Sequence, residues 1–294
     1  MTRKLIPLMM GLIAWIPLSS FTPSTAPQTI LYAPNATQHL TSQDTKLTLR
    51  TDTSCPNAQQ TLTSASTELE ALRNVYAQTL GYRHAAEVEL KGYYFCSEAA
   101  YQAYKRKLGV PSTSRTGFFS LPHQEIVVME HQPSQGRQTL MHEASHALLR
   151  SHQAPYSKWL NEGLAEYFEG ATWQERQGFQ VHPQKIKNDR IKSMLARQEL
   201  PALKQYLSLS NAAWQKQQSP TPVSSTIAWS LVYYFMEDSA RHPVLRQVIQ
   251  DQQKGLSSVQ SLSQHYPGGI EKLEKDWHQF IQAQRRVHNW QGFA

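Results

Sequence analysis

Leu140-Met141-His142-Glu143-Ala144-Ser145-His146-Ala147-Leu148-Leu149, followed after a break at Pro155 by Trp159-Leu160-Asn161-Glu162-Gly163-Leu164-Ala165-Glu166-Tyr167-Phe168-Glu169, is the stretch from which the rest of this 294-residue chain is read. An α-helix turns about 100° per residue, so His142 and His146, at i and i+4, leave one face a turn apart, where two imidazoles reach a single ion. Glu143 is rotated to the side of the same site. A carboxylate there takes a proton from an attacking water without filling a coordination position. Leu140, Met141, Ala144, Ala147, Leu148 and Leu149 leave this helix little polar face, so its histidines are expected to be buried and to need partners.

The second half of the stretch supplies those partners. A short connection makes its helix an antiparallel neighbour of the first, able to return along the histidine face. Glu162 and Glu166 share a stripe at i and i+4 on a helix otherwise made of Leu, Ala, Tyr and Phe, where carboxylates are costly unless a cation neutralises them. Two imidazoles and one carboxylate leave a fourth position open on zinc, the catalytic rather than the structural arrangement. Glu162 is therefore expected as third ligand, and Glu166 as the carboxylate that accepts the other ring N–H of a ligating histidine, with Asn161 as a further supporting residue. Two cysteines exclude a four-cysteine zinc site, and twelve histidines make an imidazole–carboxylate site feasible.

Upstream, Pro56 to Leu80 carries Leu62, Leu69, Leu72, Val75 and Tyr76 at helical spacing and stops at Gly81. Val88 to Cys96 reads as a strand and Ser97 to Leu108 as a helix ended by Gly109 and Pro111. Gly117 to Phe119 and Ile126 to Met129 read as a hairpin around Leu121 to Gln124. From Tyr156 the pattern is helical, broken near Gly178 to Pro183 and by Pro220 and Pro222. The expected class is α+β, an α+β layer followed by a mostly α-helical C-terminal part. It is read as one unit over 55–290, with a 55–175 core and a 176–290 helical part.

Arg3 and Lys4 precede an apolar run from Leu5 to Leu18 that is shorter than the ~20 residues of a spanning helix and is interrupted by Pro7 and Pro17. The pattern predicts a signal peptide over 1–26, with Ser24 and Ala26 at the cleavage site, and export to the periplasm or the exterior with no remaining membrane span. Residues 27–54, rich in Thr, Ser, Pro and Gln, are expected to be a disordered lead-in. In an oxidising compartment Cys55 and Cys96 become a candidate disulfide, the alternative being two separate buried thiols. The formal charge is +7, and without Arg3 and Lys4 the chain has 27 basic against 22 acidic side chains, or +5. That is too weak a surplus to indicate a nucleic-acid partner. Lys185, Lys187, Arg190, Lys192 and Arg197 cluster, but Ile186, Ile191, Met194 and Leu195 among them give an amphipathic helix with a solvated basic face.

His142-Glu143-Ala144-Ser145-His146 with Asn161-Glu162-Gly163-Leu164-Ala165-Glu166 resembles the gluzincin metallopeptidases, which include thermolysin and aminopeptidase N, and most closely exported bacterial members of that clan. The resemblance implies a small mixed sheet with an edge strand over the active-site helix. It implies one zinc ion held by His142, His146 and Glu162, Glu143 as general base and acid, and Glu166 orienting a ligand. It also implies that a peptide or protein substrate adds as a strand to an edge at Thr116 to Ser120 or Ile126 to Met129. Relatives stabilise the oxyanion with a Tyr or His from a later helix, for which Tyr233, Tyr234 and His242 are the candidates, with Tyr167 a further one that reads better as core. The Gly-x-Met-Glu-Asn segment of the clan's aminopeptidases is missing. Only Val128-Met129-Glu130-His131 is remotely similar, so no aminopeptidase specificity is implied. The alternative to a peptidase is an exported, non-catalytic binding or scaffold protein on the same core, against which the retained carboxylate at Glu143 speaks.

Overall fold

A computed structural model of the chain describes residues 29–33, 37–42, 46–52, 54–110, 114–132, 134–150, 156–174, 178–181, 183–218 and 221–284. The expected signal segment 1–26 and Pro155 lie outside the described residues. Among the described residues no helix is long and apolar enough to cross a membrane.

The fold is α+β, and its sheet begins earlier than the composition suggests. The expected disordered lead-in contains β1 (Thr29–Ala33), β2 (Thr37–Ser42) and β3 (Leu47–Asp52). In β3, Leu47, Leu49 and Thr51 are buried and alternate with half-buried Thr48, Arg50 and Asp52, the period of a strand with one face on a core. A polar, threonine-rich composition had argued for disorder, but threonine is β-branched and suits a pleated, half-buried surface.

After α1 (Ala58–Asn74), extended by a π-helical turn at Val75–Thr79, come β4 (Leu90–Phe95), α2 (Glu98–Leu108), β5 (Gly117–Ser120) and β6 (Glu125–Met129). The sheet order is β1-β2-β3-β4-β6-β5. β4 runs parallel to β3 and β6, and the remaining pairs are antiparallel. α2 covers one face of the β4–β6 region, where Phe95, Tyr101, Phe118, Val127 and Met129 form their own cluster. α1 and α3 (Gln135–Arg150) cover the other. β6 is buried on both faces from Ile126 to Met129, which explains its unbroken apolar run. Of the two edges expected from the resemblance, β5 is one and β6 is internal.

α4 (Lys158–Glu169) returns along α3, and α8 (Val223–Met236) packs on α4 from behind. Gly163 makes that approach possible: a Cβ there would lie 2.7 Å from the Ala228 carbonyl oxygen and 2.7 Å from Val232 Cγ2. Between them the chain forms a hairpin, β7 (Ala171–Gln174) with β8 (Gly178–Val181), so the division expected at 175/176 falls inside one structural element. Four-residue strands are too short for their alternation to stand out beside helical neighbours.

The rest is helical: α5 (Lys185–Ala196), α6 (Leu203–Leu207), α7 (Asn211–Lys216), α9 (His242–Gln253), α10 (Ser258–His265) and α11 (Gly269–Ala283). One buried cluster runs from Leu47 to Ile281 through both the expected core and the helical part. Cys55 and Cys96 are bonded, tying the exit of β3 to the exit of β4. The basic face of α5 is less solvated than its pattern predicts. Lys187 turns inward to Glu166, Lys192 reaches the Gln284 carbonyl, and Arg190 Nη1 donates to Thr226 Oγ1 at 2.9 Å, while Ile186 is left exposed.

Candidate metal centre

α3 presents its motif between two packed surfaces. Leu140, Met141, Ala144, Ala147 and Leu148 bury themselves in the main core, and Ser145 faces backward with its hydroxyl 2.5 Å from the Tyr76 hydroxyl on the π turn. That fixes the rotation of the helix and leaves His142, Glu143 and His146 on the half-buried side facing α4. The two imidazoles stand edge to face with ring centroids 4.8 Å apart.

Each ring is oriented by a residue of α4. His146 Nδ1 lies 3.2 Å from Asn161 Oδ1, and His142 Nδ1 lies 3.1 Å from Glu169 Oε2. A neutral imidazole that donates from Nδ1 keeps the Nε2 lone pair for a metal. Glu162 is divided in the same way. Its Oε1 accepts from Lys158 Nζ and Asn161 Nδ2, each at 3.3 Å, while Oε2 lies 3.7 Å from His146 Nε2. One ligand atom from each of His142, His146 and Glu162 falls within 4.8 Å of the others, so these three residues form a group able to hold a metal ion. Two nitrogens and a carboxylate oxygen, with their remaining polar atoms already satisfied, fit a divalent cation of borderline softness.

The electrostatics differ from one residue to the next. Burial, reinforced by the His142 charge, pushes the His146 pKa down to about 4, which keeps the ring neutral. At His142 burial works against the charged form, but the Glu169 hydrogen bond and the Glu143 charge prevail and raise its pKa. Burial opposes ionisation of Glu162 too, yet His146 and Lys158 hold its carboxyl below the ordinary value. Burial lifts the Glu143 carboxyl to about 7, although the His142 charge and a hydrogen bond from the Phe119 backbone work in the opposite direction. Phe119 belongs to β5. The Met129 N–H donates to Thr116 O at 2.7 Å, so by antiparallel alternation Phe118 and Ser120 face β6, whereas Gly117 and Phe119 turn their backbone groups to the open edge. Glu143 therefore lies between the donor group and the free edge of the sheet.

Glu166 does not orient a ligand. It forms a half-buried ion pair with Lys187 of α5, and Glu169 does the work expected of it. Successive residues turn about 100°, so position i+7 returns to within about 20° of Glu162, whereas i+4 lies about 40° to the other side. The three oxyanion candidates are also elsewhere. Tyr233 packs against Trp229, Tyr167 and Phe280, and its hydroxyl is pushed up by burial and Glu237. The Tyr234 hydroxyl is 2.6 Å from that of Tyr266, which donates to Asp276. His242 Nε2 is 3.1 Å from the Met236 carbonyl oxygen. Tyr167 is core, as its sequence context suggests. Of the residues that reading the sequence missed, Glu169 was visible as the seventh position after Glu162, while the Phe119 N–H carries no side-chain signal at all.

Residues 137–254 match the family described as "Protein of unknown function (DUF1570)". The matched stretch runs from the first turn of α3 to the end of α9 and contains His142, Glu143, His146, Asn161, Glu162 and Glu169, but not Phe119 of β5. No curated protein matches the chain.

Proposed function

We propose that the chain is a zinc-dependent peptidase that works after export. The observation that carries this reading is the position of Glu143, beside the His142–His146–Glu162 group on one side and within hydrogen-bond reach of the outward Phe119 N–H of β5 on the other. A structural metal site has no use for a fourth, non-ligating carboxylate aimed at a sheet edge. Resident zinc would polarise a substrate carbonyl and activate water. Glu143 accepts the proton of the attacking water and returns it to the leaving amine. Asn161 and Glu169 hold the two rings in the tautomer that leaves Nε2 free, and Lys158 with Asn161 restrains Glu162 through the oxygen facing away from His146. Gly117 already donates its N–H to Ser114 Oγ at 3.2 Å, so the outward backbone groups of Phe119 are the ones that suit an extended peptide added as a further strand, with the Phe119 N–H passing from Glu143 to the substrate as it binds. The Cys55–Cys96 bond accords with an oxidising compartment.

Metal analysis of the purified protein combined with a peptide-library digest tests the proposal. Wild type is expected to hold one zinc and to cleave. Glu143→Gln is expected to keep the zinc and lose at least a hundredfold in kcat, the scale of a general base. His146→Ala is expected to lose both. Cleavage undiminished in Glu143→Gln, or protein that binds no metal, rules the mechanism out.

A further inference from the structure

A cavity of about 350 Å³, within the size range of small-molecule and side-chain pockets, lies at the N-terminal end of α4, next to residues that support the centre. Asn161 and Lys158 belong to both. Asn161 lines the cavity and holds His146 Nδ1, while Lys158 lines it and donates to Glu162. The walls include the rings of Trp159, Tyr206 and Trp214. The polar ends of two of these are already used: Trp159 Nε1 donates to Ser258 Oγ at 2.7 Å, and the Tyr206 hydroxyl donates to the Ser224 carbonyl at 2.7 Å. Neither is left as a free donor to the cavity.

Charge sets the cavity apart from an ordinary apolar pocket. Arg150, at the last turn of α3, and Lys158, at the first turn of α4, both line it, and no carboxylate does among the described residues. Lys158 is engaged with Glu162, whereas Arg150 is exposed and makes no hydrogen bond or ion pair among the described residues. A guanidinium that lines a cavity without carboxylates, and has no partner among the described residues, is a fork shaped to receive a carboxylate.

We propose that this cavity binds a carboxylate of the substrate, carried by an acidic side chain or by the peptide's own C-terminus, with Arg150 as its partner. The proposal rests on the peptidase reading and narrows its substrate class to peptides that present a negative charge beside the scissile bond. Arg150 acts here as a specificity residue, outside the group that handles water and protons.

Binding separates this proposal from catalysis. The protein is zinc-loaded Glu143→Gln, and the readout is quenching of tryptophan fluorescence, to which Trp159 and Trp214 in the cavity wall contribute. Three probes are compared: acetyl-Ala-Ala-Phe-Glu-Ala-Ala-amide, its Gln counterpart, and acetyl-Ala-Ala-Phe-Gln with a free C-terminus. The Glu peptide or the free acid is expected to bind at least tenfold more tightly than the neutral amide, with the advantage falling as salt is added. Which of the two does so identifies the source of the carboxylate. Adding Arg150→Gln is expected to erase the advantage while leaving the fold intact, because the side chain is exposed and unpaired. Equal binding of all three peptides, no binding of any, or an advantage that survives Arg150→Gln overturns the proposal. If wild type binds the anionic peptide but cleaves no peptide, the peptidase reading fails and the carboxylate pocket stands.

Discussion

Glu162, Glu166 and Glu169 are chemically alike and lie within two turns of one helix, yet each has a different partner: His146, Lys187 and His142. Rotation around α4 decides which carboxylate serves which partner. Residues that hold the second nitrogen of a ligating histidine typically change metal affinity 10- to 100-fold when removed. Glu169→Gln is accordingly expected to weaken zinc binding by about that factor, measured by competition with a chromophoric chelator, and Asn161→Ala to do the same through His146. Glu166→Gln is the contrasting case. Its zinc affinity is expected to match wild type, while urea unfolding shows a loss of about 1–3 kcal/mol, because the substitution takes the charged partner from a half-buried Lys187. A fall in zinc affinity for Glu166→Gln larger than that for Glu169→Gln would reverse this assignment. The sequence made the ligands legible because i and i+4 on one helix is a local relation. It misassigned Glu166 because the competing cation arrives from α5, an element whose position no local pattern reveals.

At the scale of elements, the centre is a product of how closely α4 is held between α3 and α8. At Gly163 the Ala228 backbone and the stiff, β-branched Val232 side chain both lie opposite the missing Cβ. Gly163→Ala has no room to relax and is expected to destabilise the fold by about 1–3 kcal/mol, as overpacking does. It is also expected to displace the neighbouring Glu162, so that zinc affinity falls together with stability. An alanine variant with wild-type affinity and stability would mean that α8 yields more easily than its contacts suggest. The same scale shows where the sequence is informative. α1, α3, α4 and the β5–β6 hairpin announce themselves through long or strongly apolar periodic runs, and they lie where that periodicity places them. β3 and the β7–β8 hairpin do not. A strand of four to six residues whose buried positions include Thr51 or Ala171 has too few apolar residues to register, and its pairing partner is set by the sheet. Tyr233 and Tyr234 fail for a related reason. α8 is buried on nearly every side, so its periodicity does not say which of its faces meets the centre.

For the molecule as a whole, two cross-links of different kinds act on different parts. The Cys55–Cys96 bond spans 41 positions and joins β3 to β4, and chain-entropy arithmetic gives a bond of that span up to about 4 kcal/mol. A metal held by His142, His146 and Glu162 would join α3 to α4, two helices that the disulfide does not touch. Replacing both cysteines by serine is therefore expected to lower unfolding stability by about 2–4 kcal/mol in urea, while leaving zinc affinity unchanged. Zinc that binds only the folded chain is expected to stabilise it by about 2.7 kcal/mol at a free concentration a hundredfold above its Kd, a rise in Tm of roughly 5–10 °C for a domain of this size. Differential scanning calorimetry with and without a chelator measures that rise. Wild type, Glu143→Gln and the double serine variant should all show it, the last from a lower starting Tm. His146→Ala should not, because it removes one of the two ligands on α3 and leaves only His142 and Glu162, too few to hold the ion tightly. A rise in His146→Ala equal to that in wild type would place the zinc elsewhere in the chain, and loss of the rise in the double serine variant would mean that the sheet, rather than the pair of helices alone, sets the geometry of the centre.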